Sequence, residues 1–328
     1  MAENFLVTVI MSCYNQEKYI EQSIKSVLEQ NTSFSVQLLI TDDHSTKDKS
    51  VEIIRKYEKK YYPKIVAIYN SENGGYLKNI IRAKKITKTK YFCLLDADDF
   101  WTDMNYLQDA VDYLESHDDY VIYSRNVVCK HEDDSEHLFI PKKVPISDYC
   151  LDDYFQNKIH ISQTTGSFFR NVIFSVGIPE IMEKSIGTIS ERSFEGDFDR
   201  YLMHLKYGRA HYDPKPSGVY RMLSSGIWSK LDAFDKNLIQ AQTYLDYNEY
   251  FEGKYNTFFL NKSYEYFNLS LDLIISMNYS GNFSKQIKEI FFNALNIYYE
   301  NKRLISHKRN KKLKNIYLFL LRIYKFFV

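Results

Sequence analysis

Tyr91-Phe92-Cys93-Leu94-Leu95-Asp96-Ala97-Asp98-Asp99-Phe100-Trp101 is the stretch on which the reading of this chain turns. Its five leading apolar or aromatic residues predict a strand covered on both faces of a sheet. Three carboxylates within four positions follow, at the point where such a strand leaves the sheet. In open α/β sheets, ligands bind in the crevice beyond the carboxyl ends of the strands. Carboxylates this close repel one another unless solvent or a cation compensates them. Two readings stand at this point. One is an acidic surface turn that caps the next helix. The other is an oxygen-only site for a hard cation such as Mg²⁺ or Mn²⁺, which keeps some waters and bridges to phosphates.

The segments before this stretch alternate between strand and helix. Residues 5–11 (FLVTVIM) predict a first buried strand, with the turn at Ser12-Cys13-Tyr14-Asn15 and Asn15 as N-cap. Ile20, Ile24, Val27 and Leu28 then recur at helical spacing. Residues 36–41 predict a second strand, ending in Asp42-Asp43-His44-Ser45. Ser45 with Asp48 has the spacing of a capping box for a helix through Val51, Ile54 and Tyr57. A third strand is expected at 65–69, a loop at Asn73-Gly74-Gly75 and a helix at 77–86. This is the pattern of a parallel α/β sheet with right-handed crossovers.

Beyond the carboxylates, a helix is expected at 105–116 and strands at 120–124 and 166–169. Another helix is expected at 198–207, closed by Gly208. From about Trp228 onward no strands are expected, only helices at 233–250, 255–276 and 283–300.

The composition sets bounds. With 328 residues, the chain is long enough for one large domain or a domain with an appendage. The 43 basic and 42 acidic residues leave a net charge of +1, so no nucleic-acid partner is implied. The 29 Tyr and 22 Phe serve best as core residues, since stacking platforms for bases would need basic grooves around them. Cys13, Cys93, Cys129 and Cys150 have no metal-type spacing, which suits a reduced, cytoplasmic protein. No signal peptide and no 18-residue apolar span is expected.

At this point the residues resemble a known family. Val7-Thr8-Val9-Ile10-Met11-Ser12-Cys13-Tyr14-Asn15, followed by Ile24-Lys25-Ser26-Val27-Leu28-Glu29-Gln30, is similar to the start of a family 2 glycosyltransferase. Leu39-Ile40-Thr41-Asp42-Asp43-His44-Ser45 resembles the signature of its second strand, and Leu94-Leu95-Asp96-Ala97-Asp98-Asp99 its D-x-D motif. The segments stand in the family's order. The resemblance implies a GT-A fold over residues 1–230, with a nucleotide-sugar half at about 1–125 and an acceptor half at about 126–230. It offers nothing for the helical region 231–328.

The roles that follow are those the resemblance implies. Asp98 is the expected direct metal ligand, and Asp96 orients the ribose and the ion. Asp99 holds the sugar or its neighbours. Asp42 or Asp43 accepts a hydrogen bond from uracil, while Ser12 and Tyr14 contact and stack on the base. Lys78 and Asn79 face the nucleotide. Asp197, in Phe194-Glu195-Gly196-Asp197-Phe198-Asp199, is the expected general base. Gly196 replaces the usual acidic residue before it, so Glu195 and Asp199 compete for the part. Val219-Tyr220-Arg221 through Gly226-Ile227-Trp228-Ser229 resembles a loop closing over the diphosphate, with Arg221 on phosphate. Leu223 stands where the family often has histidine, and His211 is the conceivable substitute.

The resulting expectation is an inverting, Mn²⁺- or Mg²⁺-dependent enzyme that moves a sugar from a UDP-sugar to a hydroxyl. The acceptor would be a glycan or lipid-linked glycan of a bacterial surface polysaccharide. Its rivals are a polyprenyl-phosphate glycosyltransferase and a non-catalytic nucleotide-sugar-binding module. Residues 304–328 combine a basic block, Lys308 to Lys314, with a short apolar run. They suit either an interfacial helix on an anionic membrane or a helix packed on its predecessors. The first places the protein at the inner face of the cell membrane.

Overall fold

The computed structural model describes residues 4–224, 226 and 228–276. The helix expected at 283–300 and the basic segment 304–328 lie outside the described residues. The rest divides into two compact units. One comprises the chain through Ile186 together with Phe194–Gly226, and the other Gly187–Ser193 together with the chain from Ile227.

The first unit opens with the expected alternation: β1 (Phe5–Cys13), α1 (Ile20–Leu28), β2 (Ser35–Asp42), α2 (Ser50–Tyr61), β3 (Ile65–Tyr69), α3 (Tyr76–Ile86) and β4 (Tyr91–Leu94). β3, β2, β1 and β4 lie side by side in that order, all parallel. Val7, Val9, Ile10 and Met11 of β1 are fully buried, as an apolar run between two helix layers requires. α1 buries Ile20, Ile24 and Val27 against this sheet, worth roughly 1.5–3 kcal/mol each.

The chain then adds β5 (Phe100–Trp101), α4 (Tyr106–Ser116), β6 (Tyr120–His131), β7 (Glu136–Leu138), β8 (Ser147–Tyr149), α5 (Leu151–Phe155), β9 (Ser167–Arg170), α6 (Glu180–Ser185), α7 (Asp197–Leu205) and β10 (Arg209–Met222). The sheet continues β4-β9-β6-β10-β5, with β9 antiparallel to both of its neighbours and β10 parallel to β6. The long ladders are thus parallel, and β1, β2, β4, β6 and β10 all end at one edge.

Several local expectations are corrected. Ser12 and Cys13 continue β1, paired with Thr41 and Asp42, instead of turning. Asn15 is not an N-cap: its φ is +53° and its Oδ1 accepts from the Lys47 N–H at 3.0 Å. Ser45 Oγ accepts the Asn15 N–H at 2.8 Å, and Asp48 accepts from Glu17 and Ser50, both at 2.9 Å. These polar residues stitch the loops after β1 and β2 to each other, a tertiary use that outweighs local capping. Gly208 does not close α7 in the left-handed region; a Cβ there would meet the Asp119 carbonyl at 2.6 Å.

The largest correction is β10. Tyr220-Arg221, expected in a loop, stand in this strand, and Pro214, Pro216 and Gly218 lie inside it. The sheet absorbs the prolines through register shifts at Asp213/Pro216 and Pro216/Val219. Gly218 is needed because a Cβ would lie 2.4 Å from the Phe100 carbonyl oxygen of β5.

The second unit is helical. α8 (Ala233–Tyr250) and α9 (Asn256–Ser276) pack along each other through Phe234, Leu238, Tyr247, Phe259, Leu260, Tyr264 and Phe267, all buried. The abundant aromatics therefore serve as core here. Asp232 caps α8, its carboxylate accepting the Asp235 N–H at 2.8 Å. Among the described residues no helix is long and apolar enough to cross a membrane.

Candidate active site

From β1 the chain runs outward to β2 and β3 on one side, then returns to place β4 on the other. The β1/β4 boundary is thus a topological switch point, with a crevice beyond the strand ends. Ser12 and Tyr14 flank it from β1, and the turn Leu95–Asp99 from β4. The backbone of that turn is held from α1, where Ser23 Oγ lies within donor reach of the carbonyls of Ala97 (2.8 Å) and Asp99 (2.5 Å).

The three carboxylates of the turn have different fates. Asp99 is buried and tied at both oxygens, by Thr165 Oγ1 at 2.7 Å and the Arg221 N–H at 2.8 Å. It pins the turn to β10 and to the bend at Thr164–Gly166. The side chains of Asp96 and Asp98 are half-buried and accept a hydrogen bond from no other residue among the described ones. Burial, then Asp98 and Asp197, push Asp96 up to about 7 against the pull of Arg200. Burial likewise raises Asp98. Two oxygen-bearing groups disfavoured as anions and lacking donors are a set that a hard cation would satisfy. Among the described residues no group of three or more His, Cys, Asp or Glu is placed to hold a metal ion.

Arg221 closes the same turn from β10. Its Nη1 donates to the Asp98 carbonyl and its Nη2 to Gln22 Oε1 at 2.6 Å. The guanidinium lies over the rings of Phe100 (4.6 Å) and Tyr19 (4.9 Å). It is therefore a clamp on the acidic turn, more engaged with protein than a waiting phosphate ligand would be.

Asp197 begins α7, with Oδ1 accepting from Thr164 Oγ1 at 2.9 Å and Arg200 Nη2 at 2.5 Å. Both of these side-chain donors sit on Oδ1, and the Thr164 backbone N–H also reaches the carboxyl. Burial raises its carboxyl above the ordinary range, against Arg200 and Thr164. Its two competitors are less available. Asp199 is buried, and buried Glu195 pairs with Lys84 Nζ at 2.6 Å. The Asp197 group and the β4 turn share one electrostatic neighbourhood: the Tyr220 phenol is held well above its usual range by burial, then by Asp99, Asp197, Asp96 and Asp98. Arg200, Thr164, Thr165, Ser23 and Lys84 were not singled out from the sequence. Each looked like ordinary helix or loop filling, and only tertiary contact gives it a part.

At the end of β2 the two aspartates diverge. Asp43 accepts from the N–H groups of Gly74 (2.8 Å) and Gly75 (2.9 Å) and from Asn70 Nδ2 (3.0 Å), so it holds the loop before α3. Asp42 Oδ2 accepts the Ser45 N–H at 3.0 Å, while its buried Oδ1 has no partner among the described residues. Asn79 Oδ1 accepts from Asn70 Nδ2, and its buried Nδ2 likewise has no partner among the described residues. Lys78 is exposed on α3, Tyr14 is 43% exposed, and Ser12 is half-buried. His211 is not brought to the site. It lies near the start of β10, bonded to Asp148 at 2.8 Å and stacked on Tyr113, roughly 30 Å along the strand from Arg221 at ~3.3 Å per residue.

The comparisons with known proteins follow this geometry. The family profile described as "Glycosyl transferase family 2" matches residues 8–177. An uncharacterized protein of Mycobacterium tuberculosis is 26% identical over 222 residues, 68% of this chain and 60% of that protein. The dTDP-rhamnosyl transferase RfbG of Shigella flexneri is 32% identical over 133 residues, 39% of this chain and 44% of that protein. The chain thus spans three-fifths or less of the length of these relatives. Among solved structures, residues 1–349 of S. aureus TarS in complex with UDP-GlcNAc align with a TM-score of 0.57 at 17% identity. That alignment covers 88% of this chain and 79% of the other, and it shows a shared fold.

Proposed function

This chain belongs to the family 2 glycosyltransferases, and on that footing we propose that it moves a sugar from a UDP-sugar to a hydroxyl of a surface glycan or lipid-linked glycan, with inversion. The observation that carries this reading is the meeting of two carboxylate sets: Asp96 and Asp98 at the switch point, and Asp197 on α7, whose two side-chain donors both sit on Oδ1. The named activity of the Shigella relative and the UDP-GlcNAc in the S. aureus structure support a nucleotide-sugar donor.

Asp98, assisted by Asp96, is assigned to hold Mg²⁺ or Mn²⁺, which when bound supplies Lewis-acid neutralisation of the departing diphosphate. Water and the donor's phosphates complete the shell that the protein leaves partial. Asp42 Oδ1 and Asn79 Nδ2, a buried acceptor and a buried donor without partners, are assigned to the uracil edge. Tyr14 stacks on the base, Ser12 contacts it, and Lys78 adds positive charge on the nucleotide side. Arg221, Asp99 and Asp43 keep the loops that carry these groups in place. Asp197 takes the proton of the acceptor hydroxyl at Oδ2, because Oδ1 is held by Thr164 and Arg200. A single displacement by that hydroxyl inverts the anomeric carbon, and no protein nucleophile is needed.

The acceptor's own attachment gives residues 304–328 a purpose. Their basic and aromatic composition suits an anionic membrane surface where a lipid-linked glycan lies, and so a cytoplasmic enzyme peripheral to the inner face.

The test is a panel of nucleotide sugars assayed for acceptor-dependent UDP release, with Mn²⁺ and with excess EDTA. One donor should stand out and EDTA should stop it. Full release in EDTA would contradict the metal assignment. Nucleotide binding without release from any donor would favour a non-catalytic module.

A further inference from the structure

We propose that Lys84 and Glu195 are positioning residues for Asp197, acting through Arg200; the proposal rests on the assignment of Asp197 as general base. Lys84 lies on the buried face of α3 among Leu77, Ile80, Ile81 and Ala83, where an apolar side chain would pack without an ionic partner. Its side chain is 1% exposed and Glu195 is 2% exposed, with Nζ 2.6 Å from Oε2. A buried ion pair contributes little stability beyond an apolar pair of the same volume. What it does add is fixed charge and direction.

Both are aimed at the base. Lys84 Nζ is fixed over the ring of Phe174 at 3.8 Å and that of Phe92 at 5.2 Å. Glu195 has φ +72°, the left-handed region, which costs a non-glycine residue about 1–3 kcal/mol. That backbone sends the Glu195 side chain to Lys84 and turns its carbonyl onto Arg200 Nη1. Arg200, fully buried, then spends Nη2 on Asp197 Oδ1 (2.5 Å) and Thr164 Oγ1 (2.6 Å). The result is a row of alternating charge, Lys84–Glu195–Arg200–Asp197, that ends at the proposed proton acceptor. His204, bonded to the Arg200 carbonyl at 2.7 Å, is pushed down to about 3 by burial and stays neutral beside the row.

The row has an alternative arrangement built in. Glu195 Oε2 already lies 4.0 Å from Arg200 Nη1. With Lys84 uncharged, Glu195 is an unpaired buried anion and Arg200 turns to it, releasing Asp197. With both members neutral, nothing competes for Arg200 and it stays on Asp197. A pair that merely filled space would show its loss and recovery in Tm, with kcat per folded enzyme unchanged.

The experiment compares Lys84→Met, Glu195→Gln and the double variant in the full chain, with kcat and the donor KM measured for each. Lys84→Met should lower kcat about 10- to 100-fold, the range in which a misplaced catalytic group loses rate, with donor KM within about twofold. The double variant should recover at least tenfold over Lys84→Met. If Lys84→Met does not fold, Lys84→Gln takes its place, with the same drop in kcat and the same recovery on adding Glu195→Gln expected; Glu195→Gln alone removes the competitor for Arg200 and should lose less kcat than Lys84→Met. A double variant no better than the worse single, or a donor KM that rises in step with the fall in kcat, overturns the proposal. Asp197→Asn runs alongside. If it keeps activity, the base assignment falls and this proposal with it; if it is inactive while Lys84→Met matches wild type, this proposal alone falls.

Discussion

The turn after β4 and the first turn of α7 both gather carboxylates, yet they hold them in opposite ways. After β4 the backbone is tied, by Ser23, Arg221 and Asp99, while the side chains of Asp96 and Asp98 are left without donors. At α7 the side chain is tied: Asp197 Oδ1 takes Thr164 and Arg200, and Glu195 takes Lys84. A carboxylate that awaits an external cation needs a rigid backbone and open lone pairs. One that removes a proton needs a fixed direction. The two arrangements suit the two roles proposed for them.

Breaking the first arrangement should have the largest effect. Asp98→Ala removes the proposed metal ligand. Since Lewis-acid stabilisation is worth several kcal/mol, transfer should fall roughly 10³-fold or more, and UDP should lose its Mn²⁺-dependent gain in affinity. Calorimetric titration with UDP, with and without Mn²⁺, checks this; an unchanged Mn²⁺ dependence would remove Asp98 from the shell.

Arg221→Ala sharpens the comparison, because this residue clamps the turn without being one of its carboxylates. With the turn that carries Asp96 and Asp98 loosened, affinity for UDP in Mn²⁺ should drop about tenfold, ~1.4 kcal/mol, and affinity for uridine, which lacks the diphosphate, much less. Equal losses would make Arg221 a support of the fold alone. Ser23→Ala should have the smallest effect. It leaves two buried carbonyls without their hydroxyl, at about 1–3 kcal/mol of stability, seen as a lower Tm with nearly normal turnover. An unchanged Tm would mean that the turn is held elsewhere.

How far the sequence could be read depended on the length scale of each signal. β1 to β4 and their helices were legible because the apolar runs and 3.6-residue spacings are local, and the carboxylates fall at a strand end. The helices of the second unit were legible for the same reason. β10 was not, since Pro214, Pro216 and Gly218 are local breakers that only a bulged register and a close approach to Phe100 make tolerable. The split between Asp42 and Asp43, and between Asp98 and Asp99, was equally hidden. Neighbours in sequence, they differ in which distant donors reach them: Gly74 and Gly75 for Asp43, Thr165 and Arg221 for Asp99. The choice of Asp197 over Glu195 rested on a motif; the occupation of Glu195 by a lysine 111 positions away gives it a physical reason.

The most direct test of the account is Asp197→Asn, read on two scales in one preparation: affinity for UDP in Mn²⁺, and sugar transfer to acceptor. The amide keeps the shape and an acceptor for Thr164 and Arg200 but cannot take the proton. The account predicts affinity within about twofold of wild type and transfer reduced by ~10²–10⁴. Transfer within tenfold of wild type, or affinity lost in parallel with transfer, would contradict it.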